Sequence, residues 1–221
     1  MLMAIDYVQA RQTMVESQVR AWDVLDPRVL DTLSRVRRED FVSAAYRALA
    51  FADLGLPLGH GEVMMKPVVE GRLLQALALQ PDDDVLEIGT GSGFLTACLA
   101  TLAHRVTSVD LRSDFVQAAQ TRLLGAGLGN AELAVAEAVR DFAPGRSFDA
   151  IAVTGAVHSI PARFLDWLRP GGRLFAIRGE SPAMQAVLVR HAGDGRFSEE
   201  SLFETDLPYL AHAAPPPRFT L

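Results

Sequence analysis

The apolar residues of the first eighty positions recur at the spacing of helices rather than of strands. Three segments show this pattern: residues 5–21, 26–36 and 39–49. Apolar side chains repeated every three or four positions predict amphipathic helices, and Asp26 followed by Pro27 is typical of a helix cap and its first turn. Glycine and proline interrupt the pattern over 53–61, which predicts a loop. Pro67 then begins a further predicted helix over 68–79.

The pattern changes at Pro81, where short apolar runs begin to alternate with helical segments. The predicted strands are 84–88, 105–110, 131–136, 148–154 and 172–177, and the predicted helices between them are 93–103, 114–125 and 161–169. Continuous apolar strands that alternate with helices are typical of a mostly parallel sheet covered on both faces. The sequence therefore predicts a doubly wound α/β fold that carries an N-terminal helical extension.

The end of the chain has a different pattern. Residues 184–190 and 197–205 are strand-like and flank 194-DG-195, a dipeptide that favours a hairpin turn. An antiparallel pair is therefore expected at the end of the sheet. The tail 213–219 is expected to form no regular structure, because its prolines lack a backbone donor and fix φ.

Composition excludes several classes of protein. The 221 residues are 49% hydrophobic and 22% charged, with a formal net charge of −6, so no broad basic surface is available for nucleic acid. Cys98 is the only cysteine, which rules out an intrachain disulfide, and its apolar helical surroundings favour a buried thiol over a nucleophile. The five histidines are scattered without metal-ligand spacing, so no metal site is expected.

The sequence also bears on location. No N-terminal segment shows the basic-then-apolar order of a signal peptide, and no apolar run reaches the ~18 residues of a membrane-spanning helix. A cytoplasmic protein without a membrane partner is therefore the default expectation.

A glycine turn follows the first strand of the α/β region. The run 85-VLEIGTGSGF-94 passes from a strand into Gly-Thr-Gly-Ser-Gly and then into a helix. Glycines permit positive φ and let a ligand approach the backbone, and the helix start offers free N–H groups. A dinucleotide fingerprint would place glycine or alanine three positions after Gly91, where this chain has Phe94. Glu87 would also repel a diphosphate, whereas it suits a ligand that bears positive charge.

Three acidic residues stand near the carboxyl ends of consecutive predicted strands: Glu87, Asp110 and Glu137. Open α/β sheets bind ligands at this edge. S-adenosylmethionine has a sulfonium, an ammonium, a ribose diol and an adenine amino group, so Asp110 could accept hydrogen bonds from the ribose and Glu137 could reach the adenine. The expected cofactor-binding residues are Glu87, Gly89, Thr90, Gly91, Ser92, Gly93, Asp110, Leu111, Glu137 and Ala138.

Each of these features also has a structural interpretation. A lone glycine loop is often a plain turn, Asp110 could cap the next helix, and Glu137 could be a solvated residue. Only the combination of the turn, the strand-end acids and their spacing favours S-adenosylmethionine.

The run 86-LEIGTGSGFLTACLA-100 resembles motif I of the class I methyltransferases, most closely that of the protein-L-isoaspartate O-methyltransferase family. Further resemblance lies in 39-EDFV-42, 56-LPLGHG-61, 148-FDAIAVTGA-156, 160-IP-161 and 168-LRPGGRL-174. It implies a seven-stranded Rossmann-like sheet whose last strand is inserted antiparallel. It also implies methyl transfer to the free carboxylate of an isoaspartyl residue in damaged protein, with the cofactor held by the glycine turn and by Asp110 and Glu137.

The stretch 60-HGEVMMKP-67 departs from the pattern of that family, which typically reads Q-T-I-S-Q-P after the HG pair. The resemblance implies that residues Gly61, Glu62, Val63, Met64 and Met65 form a lid over the substrate. The family's serine, which helps to hold the substrate carboxylate, aligns with Met65, and its threonine aligns with Val63. The lid hydroxyls are thus replaced by apolar groups. We therefore expect residues 1–80 to be a helical extension and lid, packed on an S-adenosylmethionine-binding domain over 81–221 in one globular unit.

The catalytic candidates are His60, Met65 and Lys66, the only lysine in the chain. An ionised carboxylate needs no general base, whereas a hydroxyl or amine acceptor more often does. His60 or His158 could serve as that base, or each could be a loop residue in a structural hydrogen bond. Met65 could pack in the core, and Lys66 could be solvated or could attract an anionic acceptor.

Three functions fit these residues. The first is an isoaspartyl carboxyl methyltransferase, and the second is a methyltransferase of the same ancestry that acts on another acceptor. The third is a non-catalytic protein that binds the cofactor and serves as an interaction module.

Overall fold

The computed structural model describes residues 5–216 and contains six α-helices within them. The helices are α1 (Tyr7–Met14), α2 (Pro27–Arg35), α3 (Pro67–Leu77), α4 (Phe94–Leu102), α5 (Ser113–Gly125) and α6 (Ala162–Asp166). The predicted first helix continues beyond α1 through a π-helical turn, Val15–Val19, and a 3₁₀ turn, Arg20–Trp22. Asp26 caps α2 by accepting a 2.8 Å hydrogen bond from Arg28 N, as the sequence predicted. Among the described residues, no helix has the length and apolarity needed to cross a membrane.

The helix predicted over 39–49 is wrong. The chain there forms only two 3₁₀ turns, Arg38–Asp40 and Arg47–Leu49. The physical reason is that the buried positions cluster at residues 38–42, while residues 43–49 are all exposed. A stable surface helix needs a buried position every three or four residues along its length, and this segment has none after Val42.

The strands form a hairpin and a seven-stranded sheet. The strands are β1 (Leu56–Gly59), β2 (Glu62–Met64), β3 (Asp84–Ile88), β4 (Arg105–Asp110), β5 (Ala131–Val135), β6 (Phe148–Val157), β7 (Leu168–Arg178), β8 (Met184–Gly193) and β9 (Arg196–Thr205). The sheet order is β5-β4-β3-β6-β7-β8-β9, in which β3 to β7 pair in parallel and the last two pairs are antiparallel. The mostly parallel seven-stranded sheet with an antiparallel last strand is therefore confirmed.

The position of that last strand differs from the one the resemblance implied. β9 is not inserted between other strands, because it pairs only with β8 and lies at the edge of the sheet. Asp194 and Gly195 both have positive φ in the turn between β8 and β9, so the chain reverses at once and β9 pairs with β8. The other side of β8 pairs with β7, so β9 lies at the edge. The predicted helix over 161–169 is shortened to α6, because Leu168 already pairs with Phe148 in the sheet.

The segment predicted as a loop over 53–61 contains β1. It pairs antiparallel with β2, with Leu56 opposite Met64, and the tip residues His60 and Gly61 have φ of 54° and 82°. Strands of four and three residues are too short to show a period in the sequence. At the other end of the chain, 213–216 has no helix or strand, and the rest of the predicted irregular tail lies outside the described residues.

The N-terminal helices pack directly on the α/β region. Met14, Val19 and Leu33 belong to the same buried cluster as Val85 of β3 and Leu99 of α4. At Gly71 of α3, an added Cβ would lie 2.7 Å from Val19 Cγ1, so only glycine allows this close approach.

A buried arginine joins several of these elements. The Arg38 side chain is inaccessible to solvent and forms an ion pair with Glu70 of α3. It also donates hydrogen bonds to the carbonyls of Ala50 (2.8 Å) and Met65 (2.7 Å), and its guanidinium lies 4.7 Å from the centroid of the Phe94 ring. Arg38 therefore holds the segment after α2, the end of the hairpin, α3 and α4 together.

Replacing Arg38 should reveal the energy of this arrangement. Arg38→Met leaves the Glu70 carboxylate buried without its partner, so we expect the free energy of unfolding to fall by about 3–5 kcal/mol. The double variant Arg38→Met/Glu70→Gln removes both charges and should recover much of that loss. Urea unfolding of the two variants measures the difference. A double variant no more stable than Arg38→Met would show that lost packing, not the unpaired carboxylate, causes the destabilisation.

Candidate active site

A cleft opens at the carboxyl ends of β3, β4 and β6, and the β1–β2 hairpin covers it. This is the edge at which open α/β sheets bind ligands. The predicted site residues that line it are Glu62, Val63, Met64, Met65, Glu87, Gly89, Thr90, Gly91, Ser92, Asp110, Leu111, Glu137 and Ala138. The structure does not bring His60, Gly61, Lys66 or Gly93 to this lining. Within residues 5–216, no cluster of three or more His, Cys, Asp or Glu side chains could hold a metal ion.

The three glycines of the turn all have positive φ, and a Cβ added at each would meet a different neighbour. A Cβ on Gly89 would clash with Thr154 Oγ1, and one on Gly93 would lie 2.8 Å from Ala119 Cβ of α5. These two glycines allow close packing within the fold. Gly91 has a φ of 49°, and the nearest neighbour of a Cβ there would be Leu58 of the hairpin, at 3.1 Å. Gly91 is therefore the point at which the hairpin lies against the turn.

Glu87 is a buried acid with one free oxygen. Its Oε2 accepts hydrogen bonds from Thr96 (2.5 Å) and Ser108 (2.6 Å), while Oε1 is buried without a partner among the described residues. Burial raises the pKa of Glu87 to about 8, and the nearby charge of Asp110 adds to this effect. A cationic group in the cleft would favour the ionised form of Glu87 and would give Oε1 a partner.

Asp110 fastens the glycine turn to the end of β4. Its Oδ2 accepts a 2.9 Å hydrogen bond from Gly91 N, and its Oδ1 accepts a 2.8 Å bond from Arg112 N. It does not cap α5, because the cap position is Arg112, which makes no side-chain capping bond. Each carboxylate oxygen can accept a further hydrogen bond, so Asp110 is held in place and still able to bind a ligand.

Glu137 lies at the third strand end, and its buried Oε1 atom has no hydrogen-bond partner within the described part of the chain. Two basic side chains approach this oxygen: Arg140 Nε at 3.8 Å and His212 Nε2 at 3.7 Å. The side chain is only 15% exposed, so it is not a freely solvated residue. It presents an unused acceptor to the cleft, as an adenine amino group would require.

The tip of the hairpin is attached to α5. His60 Nε2 lies 3.0 Å from Asp114 Oδ2, and the His60 ring packs edge-on against Phe115 with 5.5 Å between centroids. The hydrogen bond with His60 lowers the pKa of Asp114. His60 therefore anchors the hairpin in this structure and is not placed to remove a proton from an acceptor in the cleft. His158, the other candidate base, donates its backbone N–H to Ala213 O and also lies outside the cleft lining.

The hairpin leads into a buried pair of methionines. Met64 and Met65 are each 4% exposed, and both line the cleft. Lys66 is exposed at the cap position of α3 and does not line the cleft. Cys98 is fully buried in α4, and burial raises its pKa, which agrees with an unreactive thiol.

Sequence patterns missed one wall of the cleft. Leu210 and Ala211 line it from the C-terminal segment, which runs beside the end of β6. The Leu210 N–H donates to Ala156 O at 2.8 Å, and the Ala156 N–H donates to Pro208 O at 2.9 Å. Glu70 also reaches the cleft from α3. No periodicity or motif in the sequence connects these residues with the glycine turn.

Comparison with known proteins decides the family. A sequence model described as "Protein-L-isoaspartate(D-aspartate) O-methyltransferase (PCMT)" matches residues 9–207. The chain belongs to the protein-L-isoaspartate O-methyltransferase family. A relative of that name from Methanoculleus marisnigri is 37% identical over 184 residues, which cover 83% of this chain and 84% of the relative. Another, from Syntrophobacter fumaroxidans, is 36% identical over 191 residues, which cover 86% of this chain and 89% of the relative.

Solved structures agree on the fold. A putative protein-L-isoaspartate O-methyltransferase from Plasmodium falciparum, in complex with S-adenosyl-L-homocysteine, superposes with a TM-score of 0.79. The match covers 90% of this chain and 97% of that one at 19% identity. The fold of the protein-L-isoaspartate O-methyltransferase family thus extends over nearly all of the chain.

The raised pKa of Glu87 predicts a pH-dependent contribution to stability. Its folded pKa of about 8 lies above the ordinary value of 4.5, so the folded state retains a proton that the unfolded state has lost. The contribution of Glu87 is therefore fully present below about pH 4.5 and is lost as the pH rises towards 8.

We expect the unfolding free energy of the native protein minus that of Glu87→Gln to fall by about 1.4 kcal/mol per pH unit between these limits. Other groups titrate in both proteins and cancel. Denaturant unfolding from pH 5 to 8 measures the difference, and Glu132→Gln, at an exposed position on β5, is the control. A difference that does not change with pH would contradict the assignment.

Proposed function

We propose that this protein is an S-adenosylmethionine-dependent O-methyltransferase that methylates the free carboxylate of isoaspartyl residues in protein. One observation carries the proposal. This chain belongs to the family, and its cleft has Glu87, Asp110 and Glu137 around the glycine turn beneath a lid. We also infer that residues 1–80, which carry the lid, and residues 81–221, which carry the cofactor site, act as one folded unit.

The acceptor atoms of the cleft fit the donors of the cofactor. The ribose diol suits the remaining lone pairs of Asp110, and the adenine amino group suits the unpaired Oε1 of Glu137. The ammonium or sulfonium suits the unpaired Oε1 of Glu87. Gly91 has no side chain, so its backbone permits a close approach of the ligand. When bound, S-adenosylmethionine supplies a methyl group activated by its attachment to a positively charged sulfur.

The chain's own contribution to the reaction is positioning. An ionised carboxylate is already a nucleophile, so no side chain has to remove a proton, and His60 is occupied with Asp114. The hairpin covers the glycine turn through Leu58 and brings Met64 and Met65 to the cleft wall. These apolar side chains exclude water, which strengthens the electrostatic interactions of the acids inside.

The part of the cleft that receives the methyl acceptor has an unusual lining. Val63 and Met65 line the cleft at the positions where the family pattern has threonine and serine. Neither side chain can donate a hydrogen bond. This observation favours a second candidate function, methyl transfer by the same machinery to a different acceptor. The two candidates share the cofactor site and differ only in what enters beneath the lid.

Cofactor binding can be tested at Gly91. Gly91→Val places a branched side chain at a φ of 49°, against Leu58, so we expect loss of S-adenosylhomocysteine binding in isothermal titration calorimetry. Gly127→Val is the matched control, since Gly127 has a φ of 73° but no heavy atom within 4 Å of the position that a Cβ would take. It should carry similar backbone strain and bind normally. Undiminished affinity in a folded Gly91→Val protein would place the cofactor elsewhere.

Acceptor specificity can be tested with a labelled methyl group, an isoaspartyl peptide and its normal aspartyl twin. A carboxylate beside Met65 lacks one charge-assisted hydrogen bond, worth on the order of 1.5–3 kcal/mol. We expect slow, isoaspartyl-specific transfer by the native protein, and a roughly ten- to hundredfold gain in Val63→Thr/Met65→Ser.

Two other outcomes have defined meanings. Efficient native transfer that the double change reduces would show that the lid holds its acceptor without hydroxyls. Binding of the cofactor with no transfer to either peptide, before or after the change, would favour the second candidate.

A further inference from the structure

The lid carries a carboxylate into the cleft. In the β1–β2 hairpin, Met64 lies opposite Leu56, and both side chains are buried. Alternate residues of a strand point to the same face, so Glu62, two positions before Met64, shares its inward face. Glu62 is half-buried and lines the cleft. Among residues 5–216, no hydrogen bond or close ion pair engages its carboxylate.

A second carboxylate, that of Asp110 at the end of β4, lines the same cleft as Glu62. Burial raises the pKa of Glu62, and the charge of Asp110 raises it further, while Arg112 and His60 act in the opposite direction. The lid and the sheet thus bring two acids within electrostatic range of each other in one cleft. Like charges that converge in this way destabilise the cleft unless a ligand with hydrogen-bond donors or positive charge lies between them.

Both acids lie on segments that are held in place. Asp110 is held by the backbone N–H groups of Gly91 and Arg112. The hairpin is held at its tip by His60 with Asp114 and along its length by Leu58 against Gly91. The fold therefore brings the lid position of Glu62 and the strand end of Asp110 to the same cleft.

We propose that Glu62 is a second ribose-binding carboxylate, which the lid presents opposite Asp110. The inference rests on the proposed function, because it requires the nucleoside part of the cofactor. A vicinal diol has two O–H donors, and each ionised carboxylate only accepts. One hydroxyl can donate to Asp110 and the other to Glu62, which satisfies both acids and offsets their repulsion. The cofactor then links the lid directly to the sheet, so its binding stabilises the closed hairpin.

Competition calorimetry with S-adenosylhomocysteine, adenosine and 2′,3′-dideoxyadenosine tests this role without measuring activity. We expect Glu62→Ala to weaken S-adenosylhomocysteine binding about tenfold, the typical effect of losing one charge-assisted hydrogen bond. The native preference for adenosine over the dideoxynucleoside should shrink by a similar factor, because only adenosine has the diol. Glu62→Gln keeps a neutral acceptor and should lose less. Glu132→Ala, at an exposed position on β5, controls for the change in net charge and should behave as the native protein.

The outcomes separate the two proposals. Failure of the native protein to bind S-adenosylhomocysteine would contradict the proposed function itself. Normal binding by the native protein and by Glu62→Ala would overturn only the role of Glu62. An equal loss for adenosine and the dideoxynucleoside would also overturn it, since that result indicates a displaced lid and not a lost ribose contact. Thermal unfolding of each variant confirms that it is folded. If Glu62→Ala does not fold, the same binding measurements on Glu62→Gln test the role of Glu62.

Discussion

The buried ion pair between Arg38 and Glu70 is the interaction on which the rest of the site depends. Arg38 contributes hydrogen bonds to two carbonyls as well as its charge, so its desolvation is offset by several partners at once. One of those carbonyls belongs to Met65, the residue at which the lid joins α3. Glu70 itself lines the cleft. The same ion pair therefore connects the N-terminal segment with the floor of the cleft and with the base of its lid.

The cleft concentrates acidic groups whose acceptor capacity is only partly used. Burial raises the pKa of Glu70 to about 7, against the opposing charge of Arg38, and that of Glu87 to about 8. Within residues 5–216, Glu87 and Glu137 each have a buried oxygen without a hydrogen-bond partner. Unsatisfied buried acceptors lower the stability of a folded protein, and such groups commonly mark a binding site. In this cleft the unsatisfied acceptors favour a ligand with many hydrogen-bond donors and a positive charge. S-adenosylmethionine has both.

The lid combines two kinds of contact. Its inward apolar residues, Leu58, Met64 and Met65, exclude water from the cleft, while His60 fixes its tip to Asp114 on α5. Glu62 is the exception among the inward residues, because it places a charge where burial is unfavourable. Both the missing hydroxyls at Val63 and Met65 and the added carboxylate at Glu62 lie in this one hairpin. The lid is therefore a part of the molecule in which several residues depart together from the family pattern.

The sequence by itself determined the features that depend on neighbouring residues. Strands β3 and β4 lie at their predicted bounds, and Asp26 caps α2 as predicted, because both depend on residues that are neighbours in the chain. The glycine turn and the strand-end acids Glu87, Asp110 and Glu137 were also predictable, since strand ends converge at one edge of an α/β sheet. Only the tertiary structure decided what depends on residues far apart in the chain. The edge position of β9, the Leu210 wall of the cleft and the approach of Glu62 to Asp110 each join segments that share no local pattern. The helix expected over 39–49 fails for a related reason, because tertiary packing decides which apolar residues are buried, and it leaves residues 43–49 all exposed.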